Sequence, residues 1–223
     1  MTVDSNPPKR GSEGLQKSDL PREYALAVSG GSGSILAARF AVAALSTGAV
    51  EALHIVVTSA AAKVLHRELG PAWASPRGFA EQLQLADEAR DRIHTYSDNE
   101  LTAPIASGSH RLAGVIVLPC SAGMAGSLAH GISRGLAQRV ADVAIKQRWP
   151  LVLGIRETPM SPILLENLLR LAQTGAHIVP PLPAFYLTPD PAEAMSVFID
   201  HYCLRLLDLL GIPGGESGLR WKG

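Results

Sequence analysis

Short apolar runs alternate with longer alanine- and leucine-rich stretches along most of the chain. The runs at 24–29, 53–58, 115–118 and 151–155 are continuously apolar, which predicts strands buried on both faces, and a last short strand is predicted at 177–179. Helices are predicted at 34–45, 60–69, 135–147, 162–173 and 191–210. This alternation predicts an α/β fold with a parallel sheet covered by helices on both faces.

The pattern indicates one domain preceded by a polar extension. Residues 1–22 carry Pro, Gly, Ser and mixed charge without an apolar core, so we interpret them as a disordered N-terminal extension. Residues 23–223 have the length of a single α/β domain. The uncharged segment 112–133 contains a proline and several glycines, which favours a buried strand running into a glycine-rich loop over a membrane helix.

Composition excludes several classes of protein. The 20 basic and 20 acidic side chains balance, so bulk charge does not indicate a nucleic-acid-binding protein. Two cysteines, Cys120 and Cys203, are too few for a disulfide framework and fit a reduced, cytoplasmic setting. No closely spaced histidine pair, Cys-x-x-Cys or aspartate-rich cluster indicates a metal site.

In parallel sheets, ligands bind beyond the carboxyl ends of the strands. The segments 29–34, 58–59, 120–124 and 156–158 each follow a predicted strand, so chemistry is expected there. The first of them reads Ser-Gly-Gly-Ser-Gly-Ser, and its glycines and the following helix suit contact with a phosphate or a flavin. It is neither a dinucleotide fingerprint, because Leu36 occupies the third glycine position, nor a P-loop. A plain strand-to-helix turn is the alternative.

Three other features carry competing interpretations. Cys120 is either a nucleophile or, as we favour, a buried structural cysteine. Arg156 and Glu157 form either a surface ion pair or a ligand contact, since arginine suits phosphate. The proline-rich segment 180–186 is either a rigid crossover or a stiff support that presents Phe185 and Tyr186.

These motifs, in this order, resemble the UbiX family of flavin prenyltransferases from residue 24 to 223. The resemblance rests on the Ser-Gly-x-Ser-Gly turn, Val57-Thr58, and Leu-Pro-Cys-Ser at 118–121. It also includes Arg-Glu-Thr-Pro at 156–159 and Pro-Pro-x-Pro-Ala-Phe-Tyr at 180–186. The resemblance implies a Rossmann-like, flavodoxin-like domain.

The resemblance also implies an activity. These enzymes bind FMN and dimethylallyl phosphate without a metal, and reduced flavin attacks through N5 while phosphate leaves. Ring closure onto flavin C6 follows, and the product serves a UbiD-type decarboxylase, for example in ubiquinone biosynthesis. The family forms homo-dodecamers with sites between subunits, and no membrane or nucleic-acid partner is expected.

The resemblance assigns roles to individual residues. FMN contacts are expected from Gly31, Ser32, Gly33, Thr58, Ser121, Ala122, Gly123, Met124 and Arg156. Prenyl phosphate contacts are expected from Arg139, Lys146, Tyr186, Arg205 and Trp221. The expected catalytic groups are Ser32, Glu68, Lys146, Arg156 and Glu157. Two alternatives are a related FMN-dependent cysteine decarboxylase and a non-catalytic flavin-binding subunit.

Overall fold

The fold is a six-stranded sheet in which every strand is parallel to its neighbours. The computed structural model describes residues 22–214 and 219–220. The strands are Glu23–Val28 (β1), Ala52–Val57 (β2), Ile93–Ser97 (β3), Gly114–Cys120 (β4), Leu151–Ile155 (β5) and His177–Ile178 (β6). They lie side by side in the order β3-β2-β1-β4-β5-β6. The predicted α/β fold with a parallel, Rossmann-like sheet is therefore confirmed.

Helices connect the strands and cover the sheet on both faces. They are Ser34–Ser46 (α1), Ser59–Leu69 (α2), Pro76–Gln82 (α3), Asp87–Arg90 (α4), Ala122–Ala129 (α5), Leu136–Gln147 (α6), Pro162–Gln173 (α7) and Ala194–Leu209 (α8). Short 3₁₀ turns occur at Pro71–Trp73 and Pro104–Ala106.

Two apolar cores form, one on each face of the sheet, because successive side chains of a strand point to opposite faces. In β1, Leu26 and Val28 join a core with α1, α2, α3 and α8. Ala25 and Ala27 of the same strand join the second core, with α5, α6 and α7. Both faces of the central strands are buried, which accounts for their continuously apolar sequences.

Two elements differ from the sequence prediction. The edge strand β3 was not predicted, because its sequence Ile-His-Thr-Tyr-Ser is partly exposed and lacks an apolar run. Residues 122–129, predicted as a glycine-rich loop, form helix α5, in which Met124, Ala125 and Leu128 are buried. Burial against the sheet overrides the weak helix propensity of the glycines there.

The termini are described only in part. Of the predicted extension 1–22, only Arg22 lies within the described residues, where its guanidinium contacts the Glu51 carboxylate at 2.6 Å. Trp221 lies outside the described residues. None of the described helices is long and apolar enough to cross a membrane.

The sheet contains one topological switch point. From β1 the chain builds β2 and β3 on one side, and then β4, β5 and β6 on the other. The helices that follow β1 and β4 therefore lie on opposite faces of the sheet, and the strand ends between them are the usual ligand position in such sheets.

Candidate functional site

The loops after β1 and β4 are hydrogen-bonded to each other at the switch point. The buried Ser29 hydroxyl donates to the Pro119 carbonyl oxygen at 2.8 Å and accepts from the Ser121 backbone N–H at 2.9 Å. A Cβ added to Gly31 would lie 3.3 Å from the Pro119 Cβ, so a small residue is needed where the loops meet. The predicted flavin segments 29–34 and 120–124 are thus brought together.

Glu68 stabilises the start of α1 from a distance in sequence. Gly33, the residue before α1, has a φ of 101° and no side chain to cap the helix. The Glu68 carboxylate replaces that cap, accepting hydrogen bonds from the backbone N–H groups of Gly33 at 3.1 Å and Ser34 at 2.7 Å. The Glu68 carboxylate therefore lies next to Gly33, one of the residues expected to contact FMN.

These hydrogen bonds change the acidity of Glu68. Partial burial on its own raises the pKa, but the Ser34 N–H, the Ser32 hydroxyl and the Gly33 N–H all favour the charged form. The pKa of Glu68 is therefore lowered from its ordinary value. Glu68 is an ionised acceptor at neutral pH, located beside the Ser32 hydroxyl.

Two further helices begin at the same edge of the sheet. The Thr58 hydroxyl accepts from the Ala61 N–H at 3.0 Å, and the Ser121 hydroxyl accepts from the Met124 N–H at 3.3 Å. Ala122 and Gly123 form the first turn of α5, where backbone N–H groups have no acceptor within the helix. The N-termini of α1, α2 and α5 give this edge the partial positive charge that attracts anions.

Arg156 follows β5 and lies beside the β1 loop. Its backbone N–H donates to the Cys120 carbonyl oxygen at 3.1 Å. Its Cγ lies 4.0 Å from the position that a Gly33 Cβ would take. The exposed Glu157 carboxylate accepts from the Thr158 N–H at 3.1 Å. A surface ion pair between Arg156 and Glu157, one of the two interpretations of this segment, is not among the ion pairs of the described residues.

Two cavities open at this edge of the sheet, one beside β2 and β3 and one beside Gly33. One has a volume of about 550 Å³, a size typical of ligand sites, and contains Thr58, Ser75, Asp98 and Arg134 in its wall. The other has a volume of about 260 Å³ and an apolar wall. That wall consists of Gly33, Ile35, Leu36, Pro181, Leu182, Pro183, Met195, Phe198, Ile199 and Tyr202.

Tyr186 and Arg205, both predicted to contact phosphate, are linked through His201. The Tyr186 hydroxyl and His201 Nε2 are 2.8 Å apart, and the two rings pack edge to face. His201 and Arg205 are four residues apart on α8 and therefore share a face of the helix. Burial lowers the pKa of His201, and the charge of Arg205 lowers it further. Sequence analysis missed His201, although this spacing would have indicated it.

Lys146 is not brought to this edge within one chain, and Arg139, in the first turn of α6, is engaged by contacts of its own. Lys146 is exposed in the last turn of α6, which ends four residues before β5 begins, at the opposite end of the sheet. Arg139 Nε donates to the Ala106 carbonyl oxygen at 3.0 Å, and its Nη1 lies 3.2 Å from the Asp142 carboxylate. The chain alone therefore assembles only part of the predicted phosphate contacts.

Neither cysteine has the properties of a nucleophile. Burial raises the pKa of Cys120 to about 12, and burial likewise raises the pKa of Cys203 to about 12. Both are thiols at neutral pH and closed to solvent. The interpretation of Cys120 as a buried structural cysteine fits this geometry.

Comparison with known proteins agrees with the architecture. A family model described as Flavoprotein matches residues 14–201. The flavin prenyltransferase UbiX of Deinococcus radiodurans is 37% identical over 204 residues, which is 91% of this chain and 94% of the relative. The same enzyme of Chlamydia pneumoniae is 35% identical over 192 residues, 86% of this chain and 94% of the relative.

Solved structures give the same picture. AnUbiX (PadA1), in complex with FMN and dimethylallyl pyrophosphate, is 32% identical with a TM-score of 0.72, over 91% of this chain and 98% of its own. A dodecameric FMN-dependent UbiX-like decarboxylase from Escherichia coli O157:H7 is 30% identical with a TM-score of 0.72, over 90% and 100%. The FMN-dependent cysteine decarboxylase SpaF, 17% identical with a TM-score of 0.54, shares the fold alone.

The length of these matches and their level of identity agree with the motifs that line the switch point. The chain belongs to the flavoprotein family and, within it, to the UbiX flavin prenyltransferases.

Proposed function

We propose that this protein transfers a dimethylallyl group from dimethylallyl phosphate to N5 and C6 of reduced FMN. The observation that carries the proposal is the convergence of Ser32, Glu68 and Arg156 at the switch point of a UbiX-family chain. Reduced FMN supplies the nucleophilic ring atoms. The protein therefore has to bind and orient the two substrates, neutralise the charge of the leaving phosphate and move a proton.

FMN binds at the C-terminal edge of the sheet. The contacts come from Gly31, Ser32, Gly33, Thr58, Ser121, Ala122, Gly123, Met124 and Arg156. The close packing of the β1 and β4 loops and the three helix N-termini support this assignment. The cavity of about 550 Å³ beside Thr58 offers room for part of the flavin.

The dimethylallyl chain occupies the apolar cavity beside Gly33. Its volume of about 260 Å³ and its aliphatic and aromatic wall suit a small hydrocarbon. Phe198 and Tyr202 contribute rings to that wall, and aromatic faces stabilise the positive charge that develops on an allylic carbon. The cavity adjoins the Gly33–Glu68 contact, which sets the donor next to the flavin loops.

As the second ring bond closes, flavin C6 loses a proton and the prenyl double bond, which the closure consumes, gains one; Glu68, with Ser32, receives the proton from C6. Glu68 is ionised because its pKa is lowered by hydrogen bonds that include the Ser32 hydroxyl. A carboxylate held on a serine hydroxyl can accept a proton through that hydroxyl. Glu157, which is exposed after β5, is the second proton-handling group.

The phosphate of the donor is neutralised by residues of two subunits. Tyr186 and Arg205 come from one chain, whereas Lys146 and Arg139 come from α6 of a neighbouring copy. The position of Lys146 at the far end of its own sheet supports this division, as does the dodecameric E. coli relative. Trp221 is the remaining proposed contact. The working form is accordingly a homo-oligomer, which we expect to be a dodecamer.

The product passes to a UbiD-type decarboxylase, and the chain works in the cytoplasm. Alternative activities receive less support. A cysteine decarboxylase of the SpaF kind is disfavoured because the identity to that protein is only 17%. A reactive cysteine near the C-terminus is also lacking among the described residues, since Cys203 is buried and its pKa is raised to about 12.

The decisive experiment is anaerobic incubation of the protein with reduced FMN and dimethylallyl phosphate, followed by mass spectrometry of the extracted flavin. A flavin heavier by one C5H8 unit is the expected result. Dimethylallyl diphosphate, tested in parallel, identifies the preferred donor. A protein that holds FMN yet leaves it unmodified with both donors is a flavin-binding subunit, and the proposal is then wrong.

The two-subunit site is tested by complementation. Lys146→Met and Glu68→Gln should each be strongly impaired, and mixed oligomers of the two should regain activity because some sites receive both native residues. Lys63→Met, which removes an exposed charge from α2, is the matched control and should remain active. Mixed oligomers that stay inactive would show that Lys146 acts within its own chain or not at all.

A further inference from the structure

A second polar cluster lies at the N-terminal edge of the sheet, opposite the flavin loops. It consists of Glu23 at the start of β1, His54 within β2 and His110 in the segment before β4. Glu23 Oε2 is 2.9 Å from His54 Nε2 and 3.1 Å from His110 Nε2. The three potential ligand atoms all lie within 4.8 Å of one another.

His54 is held in a fixed orientation. Its side chain is buried, and its Nδ1 lies 3.2 Å from the Tyr96 hydroxyl. The His94 ring stacks on it at a centroid distance of 5.0 Å, and the His110 ring packs edge-on at 5.5 Å. Nε2 is therefore directed at Glu23 by contacts on several sides of the ring.

We propose that Glu23, His54 and His110 form a binding site for a divalent first-row transition metal, with Zn²⁺ as the fitting ion. Zinc takes imidazole nitrogen at about 2.0–2.1 Å and carboxylate oxygen at about 2.0–2.2 Å, so tetrahedral ligand atoms lie about 3.3 Å apart. The two separations from Glu23, 2.9 and 3.1 Å, need only a small expansion, and the two imidazole nitrogens lie within 4.8 Å of each other and would adjust toward the tetrahedral spacing. Two imidazoles and one carboxylate leave a position for water.

Tyr96 completes the arrangement as an outer hydrogen-bond partner. A histidine that binds metal through Nε2 carries its proton on Nδ1, and that proton needs an acceptor. A hydroxyl can accept as well as donate, so the Tyr96 hydroxyl, 3.2 Å from Nδ1, would accept from that proton when the ion is bound. This contact would leave Nε2 of His54 free for the ion.

The site is separate from the proposed flavin chemistry. His54 precedes Thr58 by four positions of an extended strand, or about 13 Å, and Glu23 precedes Ser29 by about 20 Å. A bound ion would tie β1, β2 and the segment before β4 together, so its role is structural. Binding that is confined to the folded state stabilises that state.

The experiment uses the full-length protein, stripped with a chelator and then titrated with Zn²⁺ in competition with a chromophoric chelator. One Zn²⁺ per chain and a rise in the unfolding temperature are expected. Co²⁺ in place of Zn²⁺ should give visible absorption bands of a four- or five-coordinate nitrogen–oxygen site. Absence of binding, or binding that leaves the unfolding temperature unchanged, would overturn the proposal.

Variants locate the ion. Tyr96→Phe, which removes the outer partner, should weaken Zn²⁺ binding by about 10- to 100-fold, and Glu23→Gln and His110→Gln should each weaken it more than Tyr96→Phe does. His66→Ala, which removes an exposed histidine of α2, should bind as the parent does. Circular dichroism establishes that each variant is folded, and Glu23→Gln is nearly isosteric. Equal Zn²⁺ affinity in Glu23→Gln, His110→Gln and His66→Ala would assign the ion to another place and refute the site.

Discussion

At the C-terminal edge of the sheet, glycines and serines follow the strands. The hydrogen bonds there are made by backbone groups and hydroxyls, as between the loops of Ser29 and Ser121. At the N-terminal edge, Glu23, His54 and His110 converge through long side chains that start on different elements. The first edge is built from local turns and helix starts, whereas the second depends on which strands are neighbours. Each edge should therefore respond differently to substitution.

The largest effect is expected from Glu68→Gln at the C-terminal edge. The amide of the new side chain would keep an oxygen acceptor for the Ser34 N–H but could not receive a proton, so prenyl transfer should slow by about 10²- to 10⁴-fold. FMN should still bind. Single-turnover formation of prenylated flavin measures this rate, and Glu166→Gln, an exposed position of α7, is the matched control. If Glu68→Gln formed prenylated flavin at the parent rate, Glu68 would have no role in the proton transfer.

The opposite pattern is expected from His54→Ala at the N-terminal edge. The change opens a cavity and leaves Glu23 and Tyr96 without their partner, so the free energy of unfolding should fall by about 2–3 kcal/mol. FMN affinity of the folded protein should not change. Urea unfolding and flavin titration provide the two readouts, with the exposed His177→Ala as control. A parallel loss of FMN affinity would mean that the two edges are coupled.

The same contrast explains what the sequence could predict. Segments such as 29–34 and 120–124 are recognisable because each directly follows an apolar strand, and parallel sheets collect such segments at one edge. Glu23 is 31 positions from His54 and 87 from His110, so no short sequence motif indicates that these side chains are in contact. His94 and Tyr96 belong to β3, the edge strand that was not predicted because its sequence is polar. The position of Lys146 relative to a second copy of the protein likewise cannot be predicted from the apolar and polar pattern of one chain.

A smaller effect is expected where the C-terminal loops pack on α2. A Cβ at Gly30 would lie 2.8 Å from the Ala60 Cβ, so Gly30→Ala should destabilise the fold by about 1 to 2 kcal/mol and weaken FMN binding. Adding Ala60→Gly removes the clash and should restore most of both losses, as a double-mutant cycle would measure. Gly126→Ala, whose Cβ meets only Asn167 at 3.5 Å, is the control. Strict additivity in the cycle would contradict the contact.

Substitutions at two helix caps can distinguish an effect on stability from an effect on FMN binding. Ser121 caps α5 and Ser161 caps α7 through equivalent hydroxyl contacts of 3.3 and 3.2 Å. Replacing either with alanine should cost about 1 kcal/mol of unfolding free energy. Only Ser121→Ala should also weaken FMN binding, because of these two helices only α5 starts at the proposed flavin position. Equal FMN affinities in the two variants would move the flavin away from α5.

The smallest effect concerns the pH dependence of stability from the Glu68 cap. Hydrogen bonds from the Ser34 and Gly33 N–H groups and the Ser32 hydroxyl outweigh partial burial and hold the folded-state pKa below the ordinary 4.5. The stabilisation is therefore fully present above pH 4.5 and disappears as the pH falls through the lower folded-state pKa. Because Glu68 is largely exposed, the contribution should stay below about 1 kcal/mol. It is measured as the difference in unfolding free energy between the parent and Glu68→Gln, followed from neutral to acidic pH without flavin. That difference should shrink on acidification, since protonated Glu68 resembles glutamine. A difference that grew instead would mean that Glu68 stabilises the start of α1 in its neutral form, and the ionised acceptor beside Ser32 would have to be abandoned.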